Sequence, residues 1–520
     1  MVELKRLLLA GTTALSIATT ARAETVKHVL VLSVDGMHEV DLRRYVANHV
    51  TSALAKLSHR GTTFSNAYTT LPSDSFPGMI AQFTGGTPKS TGVYYDASYT
   101  RDYFPAGSNC TAPIGTSTFY AEPIDKNLND ITAGGTLGKA LTQIDPAKLP
   151  LRIIGGVCQP VYPHDFLRVN TVFEVIHNHG GHTAWSDKHP AYEILSGPSG
   201  TGIEDLFAPE INAQVTPAVP GQTAFPAGTD YTQSYQAVRA YDDYKVKAVL
   251  NEIDGLDSTG TQVNYYTPSI FGMNFQSVSV GQKLAKAGPG DAPGLVGGYL
   301  DASGTPGSAL TLQLDFIEQS VGKMLSALQT RGIYDETVVI ISAKHGQSPI
   351  NLAARRAVKD TYSTLLAKDG YATDTSDDAS LIWLDPNKRT PALYNKALAD
   401  LLANKAALGI DQVLTRAELA RTFQNPFKDA RAPDFFIITD YGVIYTGGSK
   451  LAEHGGAAND DRHVAMLVSA PGLHGKTVDQ TVFTTQIAPT ILGALRLDPE
   501  ELQSVVEEGT KVLPGLTGKR

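Results

Sequence analysis

From His28 to Val34 the chain reads HVLVLSV, a continuous apolar run with no alternation of polar positions. That is the pattern of a strand buried on both faces of a parallel sheet. Thr337 to Ser342 (TVVIIS) and His463 to Ser469 (HVAMLVS) repeat it. Each run gives way to polar or turn-forming residues: Asp35-Gly36, Lys344-His345-Gly346 and Ala470-Pro471-Gly472. Helical patterns lie between, over Leu310 to Leu328 and Ile487 to Leu495. This alternation predicts an α/β fold with a mainly parallel central sheet sandwiched by helices. Ligands of such sheets bind at the carboxyl ends of the strands, so chemistry is to be sought in the residues after each run. Residues Ser196 to Asn264 break the pattern. They are rich in Gly, Pro, Thr and Asp around one helical stretch, Tyr235 to Ile253, and read as an insertion or cap over the site. With no internal repeat and no low-complexity linker, residues 24–520 read as one elaborated domain.

The first residues fit a targeting segment better than a fold. Lys5 and Arg6 supply positive charge, Leu7 to Ile17 a short apolar run, and Ala21-Arg22-Ala23 a small-residue cleavage pattern. The run is too short to span a membrane permanently, and no later stretch is long and apolar enough to do so. Residues 1–23 are thus expected to be a signal peptide, and the mature protein to be periplasmic or secreted. In that compartment Cys110 and Cys158, the two cysteines of the chain, are expected to pair. A net charge of -9 and the lack of a Lys/Arg block argue against a nucleic-acid polymer surface. They do not argue against a small anionic ligand, because a pocket's local field can oppose the sign of the whole molecule.

Leu71-Pro72-Ser73-Asp74-Ser75-Phe76-Pro77 precedes a further helical stretch, FPGMIAQF. Proline favours the first turn of a helix and serine its N-cap. Ser75 would sit at the helix's positive end, either as an ordinary capping serine or as a hydroxyl placed to attack a bound phosphate.

In order along the chain, Val34-Asp35-Gly36, Ser75-Phe76-Pro77, Thr84-Gly85-Gly86-Thr87-Pro88-Lys89-Ser90-Thr91-Gly92, His345-Gly346, His454-Gly455 and Thr484 to Leu492 form a set. The set, spanning roughly residues 27–497, resembles the type I phosphodiesterase/nucleotide pyrophosphatase branch of the alkaline phosphatase superfamily. The resemblance implies a two-step displacement through a covalent phosphoryl- or nucleotidyl-Ser75. It also implies two zinc ions, one activating the nucleophile and one stabilising the leaving oxygen. Asp35, Ser75 and His345 match ligands of the first zinc site, and His454 matches a ligand of the second. The activity implied is phosphodiester or nucleotide pyrophosphate hydrolysis of a small-molecule substrate. Phosphomonoester, phosphonate or sulfate ester hydrolysis is the alternative within enzymes, and a catalytically silent binding protein the alternative outside them.

The chain departs from the family pattern at three metal ligands. Lys344 replaces an aspartate, Gln282 a histidine, and Val278 or a neighbour a second aspartate. Asp96 stands where the family often has a phosphate-binding asparagine. One divalent ion, with zinc the first choice, is therefore expected in place of a dinuclear pair. Sulfatases, distant members of the superfamily, pair one metal with lysines, so Lys344 would serve as the missing cation. Trp185-Ser186-Asp187-Lys188-His189-Pro190 replaces a family segment that lines the substrate pocket, which makes Lys188 a candidate substrate contact. Asp187 and His189, two apart in extended chain, could point the same way and bind a metal, or serve in a salt bridge or loop hydrogen bond.

Overall fold

The computed structural model describes residues 25–214 and 229–516, so the expected signal peptide lies outside the described residues. Eight strands make the central sheet: β1 (His28–Val34), β2 (Gly61–Phe64), β3 (Ala184–Ser186), β4 (Asp205–Phe207), β5 (Ile270–Phe275), β6 (Thr337–Ser342), β7 (Leu467–Ser469) and β8 (Lys476–Val478). Their order across the sheet is β8-β2-β7-β6-β1-β5-β3-β4. All neighbours are parallel except β7, which runs antiparallel to β6 and β2.

Strands β1 and β6 fill their predicted runs residue for residue. The third run is shorter than its apolar pattern. His463 and Val464 bridge to Tyr68 and His38, and only Leu467–Ser469 joins the sheet.

Successive side chains of a strand point to opposite faces. Val29 and Val31 therefore pack with Phe76, Met79, Ile80 and Phe83 of α1 (Ser75–Thr84) on one side. Leu30, Leu32 and Val34 pack on the other with α2 (Tyr235–Ile253) and α3 (Ser308–Arg331). The result is helix, sheet, helix.

Helix α2 was the helical stretch expected in a cap. It belongs instead to the outer layer, where Val246, Val249 and Ile253 pack with α3 against the sheet. The elaboration that does approach the Ser75 end is a separate antiparallel sheet of four strands. These run in the order Tyr371–Ser376, Ala379–Leu384, Phe435–Thr439 and Ile410–Leu414. Its Leu381, Trp383 and Phe436 pack against Tyr94 and Tyr95, which are buried there.

Cys110 and Cys158 form a disulfide with Cα atoms 5.9 Å apart. It closes a separation of 48 residues, which the chain-entropy model values at about 4 kcal/mol. No helix among the described residues is long and apolar enough to cross a membrane.

Candidate active site

Strand register assembles the site. Ser33 lies level with Ser342 on β6 and Val34 with Phe275 on β5, so Asp35, Lys344 and Gln276 leave the sheet side by side. Met273 is level with Ser186 on β3, which brings Lys188 to the same edge. Ser75 arrives from above as the first residue of α1. Gly78, one turn in, lets that helix approach closely, for a Cβ there would lie 2.1 Å from the Lys344 carbonyl oxygen.

The cap of α1 is Asp74, whose side chain accepts from the Phe76 N–H at 3.0 Å. Ser75 is therefore not the capping residue, and its hydroxyl is free for other partners. Lys188 Nζ donates to Ser75 Oγ at 2.9 Å, and His345 Nε2 lies 3.2 Å from the same oxygen. His345 Nδ1 is 2.8 Å from the Gly346 carbonyl. A proton on Nδ1 satisfies that carbonyl and leaves Nε2 to accept from the serine. The ring of His454 packs 3.9 Å from that of His345, and its Nδ1 lies 3.5 Å from Asp74. Ser73 holds the His454 loop to the start of α1 by donating to the Gly456 carbonyl and accepting from Gly455 N–H.

Asp35 is buried among cations. Its two oxygens accept from Asn274 at 2.7 Å and Gln276 at 2.6 Å. Lys188 lies 3.5 Å away, His345 3.7 Å and Lys344 4.0 Å. Burial alone would raise its pKa, but the Lys344 and Lys188 ammonium groups hold it well below the usual carboxylate range. Burial pushes Lys344 down to about 8, against the pull of Asp187 at 2.9 Å and of Asp35. The Lys344 ammonium also sits 3.9 Å from the centre of the Tyr192 ring, a cation–π contact. Burial, reinforced by the Lys283 ammonium, drives His454 well below the ordinary histidine range, so its ring is neutral.

The structure places Asp35, Ser75, His345 and His454 together. As a zinc shell, however, these residues do not fit. The Lys188 ammonium lies between Asp35 and Ser75, where a bridging cation would bond both. Gln282 donates to the Gly36 carbonyl and the Tyr299 hydroxyl, and Val278 is core. Asp187 and His189 also part company. Asp187 takes Lys344, the Trp185 indole N–H and its own neighbour's N–H. His189 turns away to Glu210. Among the described residues, the group of side chains spaced to hold a metal ion is Glu122, His189 and Glu210.

Asp96 accepts from Ala97 N–H at 2.6 Å. Burial and the nearby Asp74 and Asp377 push its carboxyl well above the usual range, against Lys188. Sequence reasoning missed Asn274 and Gln276. A polar Asn inside the apolar run IFGMNF was the signal available for the first.

The type I phosphodiesterase / nucleotide pyrophosphatase family model matches residues 29–124 and 182–464. The chain belongs to that family. Its fold is likewise similar to two solved structures. Alkaline phosphatase PafA superposes with a TM-score of 0.61 at 15% identity, covering 91% of this chain and 96% of that one. Murine ectonucleotide pyrophosphatase / phosphodiesterase 5 gives 0.54 at 13% identity, with the same coverages. No curated protein matches the sequence. Family and fold together make this protein a hydrolase of the phosphodiesterase/pyrophosphatase type, acting on phosphoesters.

The buried Lys344–Asp187 pair gives the site a structural dependence. Asp187→Ala leaves a fully buried ammonium whose nearest carboxylate is Asp35 at 4.0 Å. Removing one partner of such a pair costs about 3–5 kcal/mol. A urea midpoint lowered accordingly is expected, and an unchanged midpoint would contradict the pairing.

Proposed function

We propose that the chain is an exported, single-domain hydrolase of small phosphodiester or nucleotide-pyrophosphate substrates, working through a covalent phosphoryl- or nucleotidyl-Ser75. One observation carries this reading: the Ser75 hydroxyl lies within hydrogen-bond reach of an ammonium and of an imidazole nitrogen. Such a hydroxyl can give its proton to His345 Nε2 while the Lys188 ammonium stabilises the charge growing on Oγ.

In the first step Ser75 Oγ bonds to phosphorus, its proton passes to His345 Nε2, and the leaving oxygen departs with the electron pair of the broken P–O bond. In the second, water attacks phosphorus and gives up its surplus proton to solvent, replacing the one taken up by the departed leaving oxygen, while Oγ leaves and recovers its proton from His345. Lys188 is positioned to bind a phosphoryl oxygen as Oγ is consumed. Lys344 supports it from behind, through its charge beside Asp35 and its hold on Asp187. A protonated Asp96 offers an O–H donor, the role an asparagine amide would fill. Zinc has no place between Ser75 and Asp35, because the Lys188 ammonium contacts both and the Asn274 and Gln276 amides take the Asp35 oxygens. Export is supported by the N-terminal segment and by the disulfide.

The test is chemical trapping. Protein quenched during turnover of an aryl phosphodiester should carry the phosphoryl adduct on the peptide containing Ser75, read by mass spectrometry. Aryl phosphodiester turnover should exceed that of the aryl phosphomonoester and sulfate. An adduct on another residue overturns the nucleophile. Preference for the monoester or sulfate overturns the substrate class, and silence on all three favours a binding protein.

A further inference from the structure

Beyond Ser75, at the outer edge of the sheet, four ionisable side chains meet, three of them buried. Glu122 opens a short turn, and Asp125 follows it. His189 comes just after β3 and Glu210 just after β4. Asp125 and Glu210 are fully buried, and His189 is 7% exposed. His189 Nδ1 lies 2.9 Å from both oxygens of Glu210. Ligand atoms of Glu122, His189 and Glu210 all fall within 4.8 Å of one another. From our structure we infer that Glu122, His189 and Glu210, with Asp125 beside Glu210, form a second site that binds one divalent transition-metal ion.

The independent observation is Asp125. Neither of its oxygens accepts a hydrogen bond from an N–H or hydroxyl group, although the residue is fully buried, and its one close polar neighbour is the Glu210 carboxyl, with which it must share a proton. A buried carboxylate without a partner is costly, and native proteins rarely tolerate one without an ion or water to bind it. Its carboxyl faces that of Glu210, and no lysine or arginine among the described residues pairs with it. The nearby Lys148 ammonium bonds the Asp125 backbone carbonyl, and Lys188 is committed to Ser75 and Asp35.

Protonation states without a cation agree with this picture. Burial and Glu210 push Asp125 up to about 10, and burial pushes Glu210 up to about 8. Burial lowers His189 to about 3, so the imidazole is neutral and available as a ligand. A dication would let both acids ionise.

One imidazole nitrogen among carboxylates suits zinc or manganese. Calcium prefers an all-oxygen shell of six to eight ligands. The ion would do more than neutralise charge. His189 is the next residue after Lys188, which contacts Ser75, and stands two after Asp187, which holds Lys344. A metal on His189 fixes that segment, making the site a positioning device for the ammonium groups. It differs from the family's zinc positions and does not depend on the hydrolase reading.

The experiment uses the full mature protein and reads metal, not turnover. After dialysis against chelator, calorimetric titration with zinc or manganese chloride should give about one site per chain, with elemental analysis in agreement. Ser75→Ala and Asp35→Asn should keep that stoichiometry. Glu210→Gln and His189→Ala should weaken binding by about 100-fold or more. Glu122 is only partly buried, so Glu122→Gln provides a variant whose folding is not at stake; it too should weaken binding. An anomalous signal within bonding distance of a ring nitrogen of His189 would support the site directly. Failure of the wild type to take up either metal overturns it, as does wild-type binding by folded Glu122→Gln and Glu210→Gln proteins. Loss of the metal in Asp35→Asn but not in Glu210→Gln would move the ion to the nucleophile and overturn it as well.

Discussion

Ser75→Ala is expected to lower kcat on an aryl phosphodiester by about 10⁴-fold or more, the scale seen when a nucleophile is removed from a hydrolase that works as a unit. The same variant should leave stability within about 0.5 kcal/mol of the parent. That pairing follows from the structure of the helix start. Had Ser75 been the N-cap, truncation would remove a capping hydrogen bond worth about 1 kcal/mol. The cap is Asp74, so the alanine variant keeps it. What it loses is the oxygen that Lys188 and His345 share. Steady-state kinetics beside a urea melt therefore separate the two readings of this serine. Full activity would end the mechanism, and a large loss of stability with intact turnover would return Ser75 to a structural role. Asp74→Ala should do the reverse, costing stability first through the lost cap.

The ease with which the fold could be read has a physical basis. Strands buried on both faces must be apolar throughout, and HVLVLSV and TVVIIS declare themselves without help from neighbours. A helix packed on a sheet shows its period, as over Ser308–Arg331. The four-stranded sheet built on residues 371–439 was not legible. Its first strand is half-buried along its whole length, and its partner order departs from sequence order.

At the site, Asp35, Ser75 and His345 were legible because they flank strong elements in family order. The charge pattern around them was only half legible. Lys344 announced itself by replacing an aspartate, but its partner could not be known until β3 was set beside β5. Asp187 and His189 are two apart in sequence, a spacing that left open both a shared metal and separate salt bridges or loop hydrogen bonds. The chain bends after β3, so Asp187 turns to Lys344 while His189 turns to Glu210. Glu122 and Glu210 carry no local signal at all. Nothing in a sequence relates them to His189 except the tertiary fold.

Lys188→Met is expected to lower kcat/KM by about 10²–10³-fold, the usual cost of removing one preorganised donor to developing charge. Methionine keeps most of the side-chain volume and discards the charge, so the loss reports electrostatics, not a cavity. Lys344→Met should cost less, because its ammonium meets Asp35 and Asp187 and does not touch the nucleophile. The two differ again in pH dependence. Lys344 is held down to about 8, so it is charged below that pH and neutral above it. Turnover that relies on its charge is therefore complete on the acid side of pH 8 and falls as pH rises through that value. In Lys344→Met the alkaline fall should vanish, leaving a lower, flat rate. A Lys188 variant that retains Lys344 should keep the fall while running slower at every pH. If the alkaline limb survives in Lys344→Met, another group titrates there. If Lys188→Met turns over at the parental rate, the contact with Ser75 Oγ has no catalytic consequence, and the activation of that hydroxyl must be sought in His345 alone.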